Sequence, residues 1–213
     1  MTTDGDTFDE LHKLATEATN TDIADRIRFV AELDRLRLVE RRSYVARGVR
    51  RENTAEHSWH VATMALVLQP LLGGIDVDKV VHMMLVHDIV EIDAGDVPVY
   101  DYEARAAKQV EEVAAADRIY GLLPDAAGGA FRAWWDEYEA GTTPEAQAAK
   151  ALDRLAPLLL NWMAQGRSWR ELGVHASEVR AVNLPVAEQV SSELAALVRA
   201  LIDNAVAHGW LPE

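Results

Sequence analysis

Two metal-binding side chains, His87 and Asp88, stand side by side in the otherwise apolar run Val80-Val81-His82-Met83-Met84-Leu85-Val86-His87-Asp88-Ile89-Val90. Burying an imidazole and a carboxylate together is costly unless something satisfies both, and one divalent cation does so at once. His57 lies thirty residues upstream of His87 and Asp153 sixty-five downstream of Asp88, each in a helical pattern. Two neutral imidazoles and two carboxylates make a mixed nitrogen and oxygen donor set suited to a first-row transition metal.

More acids follow the doublet, in Glu91-Ile92-Asp93-Ala94-Gly95-Asp96. On a continuous helix Glu91 projects from nearly the same face as His87 and Asp88. Acids this dense beside a metal pair point to a positioned acid or base, with Glu91 and Asp96 the candidates and Asp93 more simply a solvated helix end. His57 is the expected ligand of the His57-Ser58-Trp59-His60 segment. His82, five residues before His87, is turned about 140° away on an ideal helix and reads as a packing or surface residue. Asp153 sits in an apolar helix beside Arg154, which would be its ordinary partner if no metal were present. Seven of the 17 arginines fall between Arg35 and Arg51, with Glu40 the one acid among them. Singly they read as a solvated edge; as a group close to His57 they suggest an anion-binding patch, because the guanidinium fork grips phosphate oxygens in pairs.

These residues must be positioned by helices. Thr21 to Val39 places apolar residues at Ile23, Ile27, Val30, Leu33, Leu36 and Leu38, near a period of 3.6. An arginine-rich connection bends at Gly48. Asn53-Thr54-Ala55-Glu56 is a capping pattern that starts a helix running to Gly73-Gly74. Asp76 opens the next helix, which carries the doublet and ends near Gly95. Further helices are expected from about Asp101 to Gly121, from Pro124 to Ala140, from the Thr143-Pro144 turn through Asp153, and from Pro185 to His208. No stretch alternates with period two over a strand length. The expected fold is all-α, a single bundle of about seven or eight helices over residues 21–213, preceded by an acidic leader over 1–20 with at most one short helix.

Composition narrows the function. The 213 residues carry a net charge of −14, which argues against a protein that coats a nucleic acid polymer. The absence of cysteine rules out disulfides and thiolate metal sites. No apolar run approaches a membrane span, and the first residues lack the features of a secretory signal, so a cytoplasmic location is expected. Trp134, Trp135, Trp162, Trp169 and Tyr138 read as core or groove fillers.

The order His57 … His87-Asp88 … Asp153 in an all-helical chain resembles the HD-domain metal-dependent phosphohydrolases. More narrowly, Arg42 … Glu52-Asn53-Thr54-Ala55-Glu56-His57-Ser58 … His87-Asp88-Ile89-Val90-Glu91-Ile92-Asp93-Ala94-Gly95-Asp96-Val97-Pro98 is similar to the 5′-deoxynucleotidase branch, a likeness that spans roughly Leu33 to Trp162. The resemblance implies one divalent metal, Co²⁺, Mn²⁺ or a similar ion, with Zn²⁺ and Mg²⁺ as alternatives, held by His57, His87, Asp88 and Asp153. It also implies catalysis by Glu91 and Asp96, with Asp96 contacting substrate, a phosphate-binding Arg42, and a homodimer. Family members often carry a tryptophan next to that arginine, near the sugar, where this chain has Ser43. The expected activity is release of phosphate from nucleoside 5′-monophosphates. Its rivals are an HD-type phosphohydrolase acting on a triphosphate, a cyclic nucleotide or another small phosphorylated metabolite, and a non-catalytic nucleotide-binding protein.

Overall fold

The computed structural model describes residues 4–213, and of residues 4–6 and 102–107 the backbone alone. Among the described residues are eleven α-helices and one two-stranded hairpin: α1 (Asp4–Ala18), α2 (Thr21–Leu33), β1 (Glu40–Val45), β2 (Arg50–Asn53), α3 (Thr54–Val67), α4 (Val77–Val86), α5 (Glu91–Ala94), α6 (Tyr102–Tyr120), α7 (Asp125–Ala140), α8 (Pro144–Met163), α9 (Arg167–Leu172), α10 (Ala176–Val190) and α11 (Ser192–Ala207). The helical class is as expected, with more and shorter helices. The expected leader contains α1, which is tied to α2 by His12 and Asp25 at 2.9 Å. No helix among the described residues is long and apolar enough to cross a membrane.

Local signals set most helix starts. Asn53 accepts from the Glu56 amide at 3.0 Å while the Glu56 carboxylate accepts from the Asn53 amide at 3.3 Å, a capping box that fixes where α3 begins. Asp76 and Thr143 cap α4 and α8 through single side-chain bonds, accepting from the Lys79 and Ala146 amides.

Three expectations are corrected. The arginine-rich connection is an antiparallel hairpin, not a loop, and its left-handed turn passes through Ala46, Arg47 and Gly48. The helix expected to carry the doublet stops at Val86. Beyond it the backbone tightens, with Ile89 bonded to Val86 at 3.1 Å and Glu91 to Asp88 at 3.0 Å. Consecutive side chains on a regular helix diverge by about 100°. The tighter three-residue turn instead brings residues i and i+3 into line, and Asp88 and Glu91 share a face. The last helix begins at Ala176 and is broken at Ser191, whose side chain caps α11 through the Leu194 amide at 3.1 Å.

Two apolar clusters form the interior. The larger joins α3, α4, α8, α10 and α11 around Val61, Met83, Leu152, Val179 and Ile202. The smaller joins α2, α6 and α7 to Val86, Ile89 and Val90. The doublet therefore lies at the seam between them. The hairpin is held to α9 by Ser168 Oγ donating to the Arg42 carbonyl at 2.9 Å and by the Tyr44 hydroxyl donating to Glu171 at 2.9 Å.

Gly166, which starts α9, has φ +73, and a Cβ there would collide with the Trp210 carbonyl oxygen. Gly166→Ala is expected to lower stability by about 2 kcal/mol or more, measured by urea denaturation. An unchanged midpoint would show that this joint is not rigid.

Candidate active site

Four donor atoms from three elements converge. His57 Nε2, from α3, lies 2.9 Å from Asp153 Oδ1 of α8 and 3.8 Å from Asp88 Oδ2. His87 Nε2 lies 3.1 Å from Asp88 Oδ2 and 3.7 Å from Asp153 Oδ1. All four donors fall within 4.8 Å of one another. Donors about 2.1 Å from a shared cation would sit roughly 3.0 Å apart when adjacent and 4.2 Å apart when opposite, so the pairs at 2.9 to 3.8 Å are near that range and a small contraction of the cluster would place all four donors on one ion. The ring orientations fit as well. His87 Nδ1 donates to the Met84 carbonyl at 2.9 Å, which turns the lone pair of Nε2 toward the centre, and that buried nitrogen has no hydrogen-bond partner. These residues could hold one divalent cation.

Neighbouring side chains hold the donors in place. The Tyr138 hydroxyl donates to Asp153 Oδ2 at 3.0 Å, and its ring meets His87 edge-on at 5.0 Å. Arg154 stands 3.3 Å from the same Asp153 oxygen. Arg41 reaches inward from β1, with Nη1 at 2.9 Å from Asp88, 3.5 Å from Asp96 and 4.0 Å from Glu91, and Nε at 3.5 Å from Glu52. The Thr54 hydroxyl donates to Glu91 at 2.9 Å. Lys108 of α6 is buried with Nζ 3.9 Å from Glu91 and 3.3 Å from Glu112.

Charge explains the remaining behaviour. Six carboxylates, of Glu52, Asp88, Glu91, Asp96, Glu112 and Asp153, face three cations, Arg41, Lys108 and Arg154. The excess of negative charge is of the kind that a bound divalent ion would offset. Without it the site recruits protons. Burial opposes charge on His87, but Asp88 and Asp153 outweigh it and push the imidazole up to about 10. Burial, reinforced by Asp88, holds Glu91 well above the usual carboxylate range, and burial also raises Asp96. Asp88 and Asp153 are instead held low despite burial, Asp88 chiefly by His87 and Arg41, and Asp153 by Arg154 and the two imidazoles. Burial likewise opposes charge on Arg41, yet the surrounding carboxylates keep it protonated.

A cavity of about 400 Å³ opens beside the cluster, lined by His87, Asp88, Glu91, Asp96 and Asp153 among others. His57, His87, Asp88, Asp153, Glu91 and Asp96 are thus brought together. Arg42 is on the cavity wall and exposed, whereas Arg41 occupies the centre. The cause is a bulge: Glu40 pairs with Asn53 but Tyr44 with Arg51, so β1 carries two extra residues against its partner. Counting along the sequence could not detect that shift. The arginine group does not form one patch, since Arg35, Arg37 and Arg50 pair with Glu32, Asp34 and Glu56. His82 stacks on Trp134 at 4.4 Å, His60 lies against Trp59, and Asp93 pairs with Arg118 at 2.8 Å.

This helical frame with a paired His-Asp centre is that of the HD-domain proteins. The HD-domain family model matches residues 33–195, and the chain belongs to that family. A 5′-deoxynucleotidase of Danio rerio is 30% identical over 134 residues, which cover 62% of this chain and 66% of that protein. The corresponding protein of Homo sapiens is 31% identical over 134 residues, covering 62% and 65%. The chain spans just under two thirds of the length of these curated relatives. A crystal structure described as a predicted metal-dependent phosphohydrolase from Magnetospirillum magnetotacticum superposes with a TM-score of 0.85 at 42% identity, covering 90% of this chain and 99% of that one.

A cation that binds only the folded chain stabilises it by about 2.7 kcal/mol at a hundredfold excess over Kd. Saturating Mn²⁺ or Co²⁺ is expected to raise the unfolding temperature by roughly 5–10 °C, and His87→Ala and Asp153→Ala should remove the increase. Equal shifts in the variants would place the binding elsewhere.

Proposed function

We propose that the chain is a metal-dependent phosphomonoester hydrolase that releases phosphate from (deoxy)nucleoside 5′-monophosphates, with His57, His87, Asp88 and Asp153 as the ligands of one Co²⁺, Mn²⁺ or similar ion. The observation that carries this reading is the four-donor cluster beside two raised carboxylates, Glu91 and Asp96, with Arg41 within 4.0 Å of both. The named activity of the curated relatives supports it. The ion, when bound, supplies acidity to a water molecule and neutralises phosphoryl charge.

The protein's side chains do the rest. Glu91, held by Thr54 and kept a good proton acceptor by burial, takes the proton of the attacking water. The water oxygen bonds to phosphorus as the bond to the leaving oxygen breaks, and Asp96 returns a proton to that oxygen. Arg41 stabilises the charge gathered on the phosphoryl oxygens, and Lys108 offsets the charge of Glu91. Arg42, whose guanidinium forms no ion pair among the described residues, draws the anionic substrate to the cavity wall. The cavity's volume lies in the range of small-molecule sites.

A cytoplasmic location and a homodimer belong to the same proposal. The dimer is supported by an exposed apolar stripe on α3, Trp59, Leu66 and Val67. Sedimentation at twice the chain mass is expected, and a lone chain at micromolar concentration would refute the dimer.

Phosphate release from deoxynucleoside monophosphates tests the activity. Glu91→Gln should lower kcat about 100-fold or more while metal content is kept. Arg41→Lys, which keeps charge but loses the fork, should act mainly on kcat, and Arg42→Met mainly on KM. Pyrophosphate or triphosphate as the product from a triphosphate substrate, with monophosphates untouched, would favour the rival hydrolase.

A further inference from the structure

Lysine is scarce in this chain. Of its 21 basic residues only Lys13, Lys79, Lys108 and Lys150 are lysines, and Lys108 and Lys150 both line the cavity. Lys108 is the more buried of the two, at 6% exposure. A lysine paired with a glutamate four residues on ordinarily keeps its ammonium in water. Here Nζ is drawn inward, 3.3 Å from Glu112 Oε1 and 3.9 Å from Glu91 Oε1, and among the described residues it completes a hydrogen bond with neither. Nor is Nζ one of the occluded polar atoms left without a partner. The ammonium is therefore open to the cavity it lines.

Its neighbours are already engaged. Arg41 Nη1 donates to Asp88 at 2.9 Å, and Arg154 stands 3.3 Å from Asp153 Oδ2. Glu91 Oε2 accepts from Thr54, while Oε1 is the oxygen nearer Lys108. Burial raises Glu91 and Asp96, and the charge of Lys108 opposes that rise at each.

Offsetting Glu91 is the simplest role for such a lysine, and charge alone would serve it without access to the cavity. An ammonium that opens onto the cavity has donors to spare, three N–H groups on a rotatable stem. In a reactive arrangement the attacking oxygen and phosphorus lie about 3–3.5 Å apart. A water held by Glu91 thus brings a phosphoryl oxygen within reach of a group 3.9 Å from that carboxylate. A phosphomonoester dianion also adds negative charge to a centre already rich in it, which an aimed cation offsets.

We propose that Lys108 is a further catalytic residue, whose ammonium donates a hydrogen bond to a phosphoryl oxygen of the substrate and holds it as charge gathers there. No proton is transferred in this contact. The proposal rests on the hydrolase reading for the identity of the substrate.

Four lysines make the contact visible. In Zn²⁺-loaded protein labelled with ¹⁵N-lysine, saturating inorganic phosphate should shift the Lys108 Nζ resonance and slow exchange of its protons. The resonance is identified by its loss in Lys108→Met or, should that variant not fold, by elimination with Lys13→Arg, Lys79→Arg and Lys150→Arg. Lys108→Met should also weaken phosphate binding about tenfold or more, the worth of a charged hydrogen bond. An unmoved Lys108 resonance, a response of Lys150 alone, equal affinity in Lys108→Met, or no phosphate binding by the wild type would each overturn the contact. Phosphate release from deoxynucleoside monophosphates reports separately on the hydrolase reading. Its absence with the Lys108 response retained would sink hydrolysis and leave the phosphate contact standing.

Discussion

The centre of this protein is governed by an excess of buried negative charge. Six carboxylates and two imidazoles are packed where two apolar clusters meet, with three cations among them. An unpaired buried charge is among the most destabilising features a fold can carry. The site must therefore take up protons or a cation, and the partnerless His87 Nε2 marks where a cation fits. The pKa directions have the same origin. His87 is pushed up by its neighbours, and Glu91 and Asp96 are raised mainly by burial.

The fold meets this requirement by departing from regular helix at one point. Breaking α4 after Val86 lets His87, Asp88 and Glu91 face a single region. Gly95, with φ +76, then ends α5 and delivers Asp96 to the same cavity. The bulged hairpin supplies Arg41, and its attachment to α9 sets where β1 sits. Tyr138 and Thr54 orient Asp153 and Glu91. The chemistry thus depends on irregular backbone supported by regular helices, a division of labour expected where a site must gather side chains that a continuous helix would disperse.

The donor residues were legible in the sequence because polar groups in apolar helical runs are conspicuous. The caps at Asn53, Asp76 and Thr143 were legible because their chemistry is local. Other features lacked a readable signal. Arg41 and Arg42 are neighbours of one type on one strand, and the bulge decides which of the two faces inward. The hairpin went unread because its strands are short and rich in arginine, so they show no alternation of apolar and polar residues. Lys108 sits in a helix with acids at 111 and 112 and looks like a surface residue until the fold buries it. Tyr138 reads as a core filler, and its hydroxyl gains a purpose only when Asp153 is placed beside it. The break at Ser191 did carry a cap signal in Ser191-Ser192-Glu193, which the long apolar pattern around it obscured.

The central claim is that one divalent cation resolves the charge imbalance at the His57, His87, Asp88 and Asp153 cluster. Anomalous diffraction from crystals grown with Mn²⁺ or Co²⁺ tests it most directly. The account predicts one strong peak per chain within about 2.3 Å of His57 Nε2, His87 Nε2, Asp88 Oδ2 and Asp153 Oδ1. A metal-saturated crystal with no peak there, or with His87 Nε2 still facing an empty centre, would contradict it.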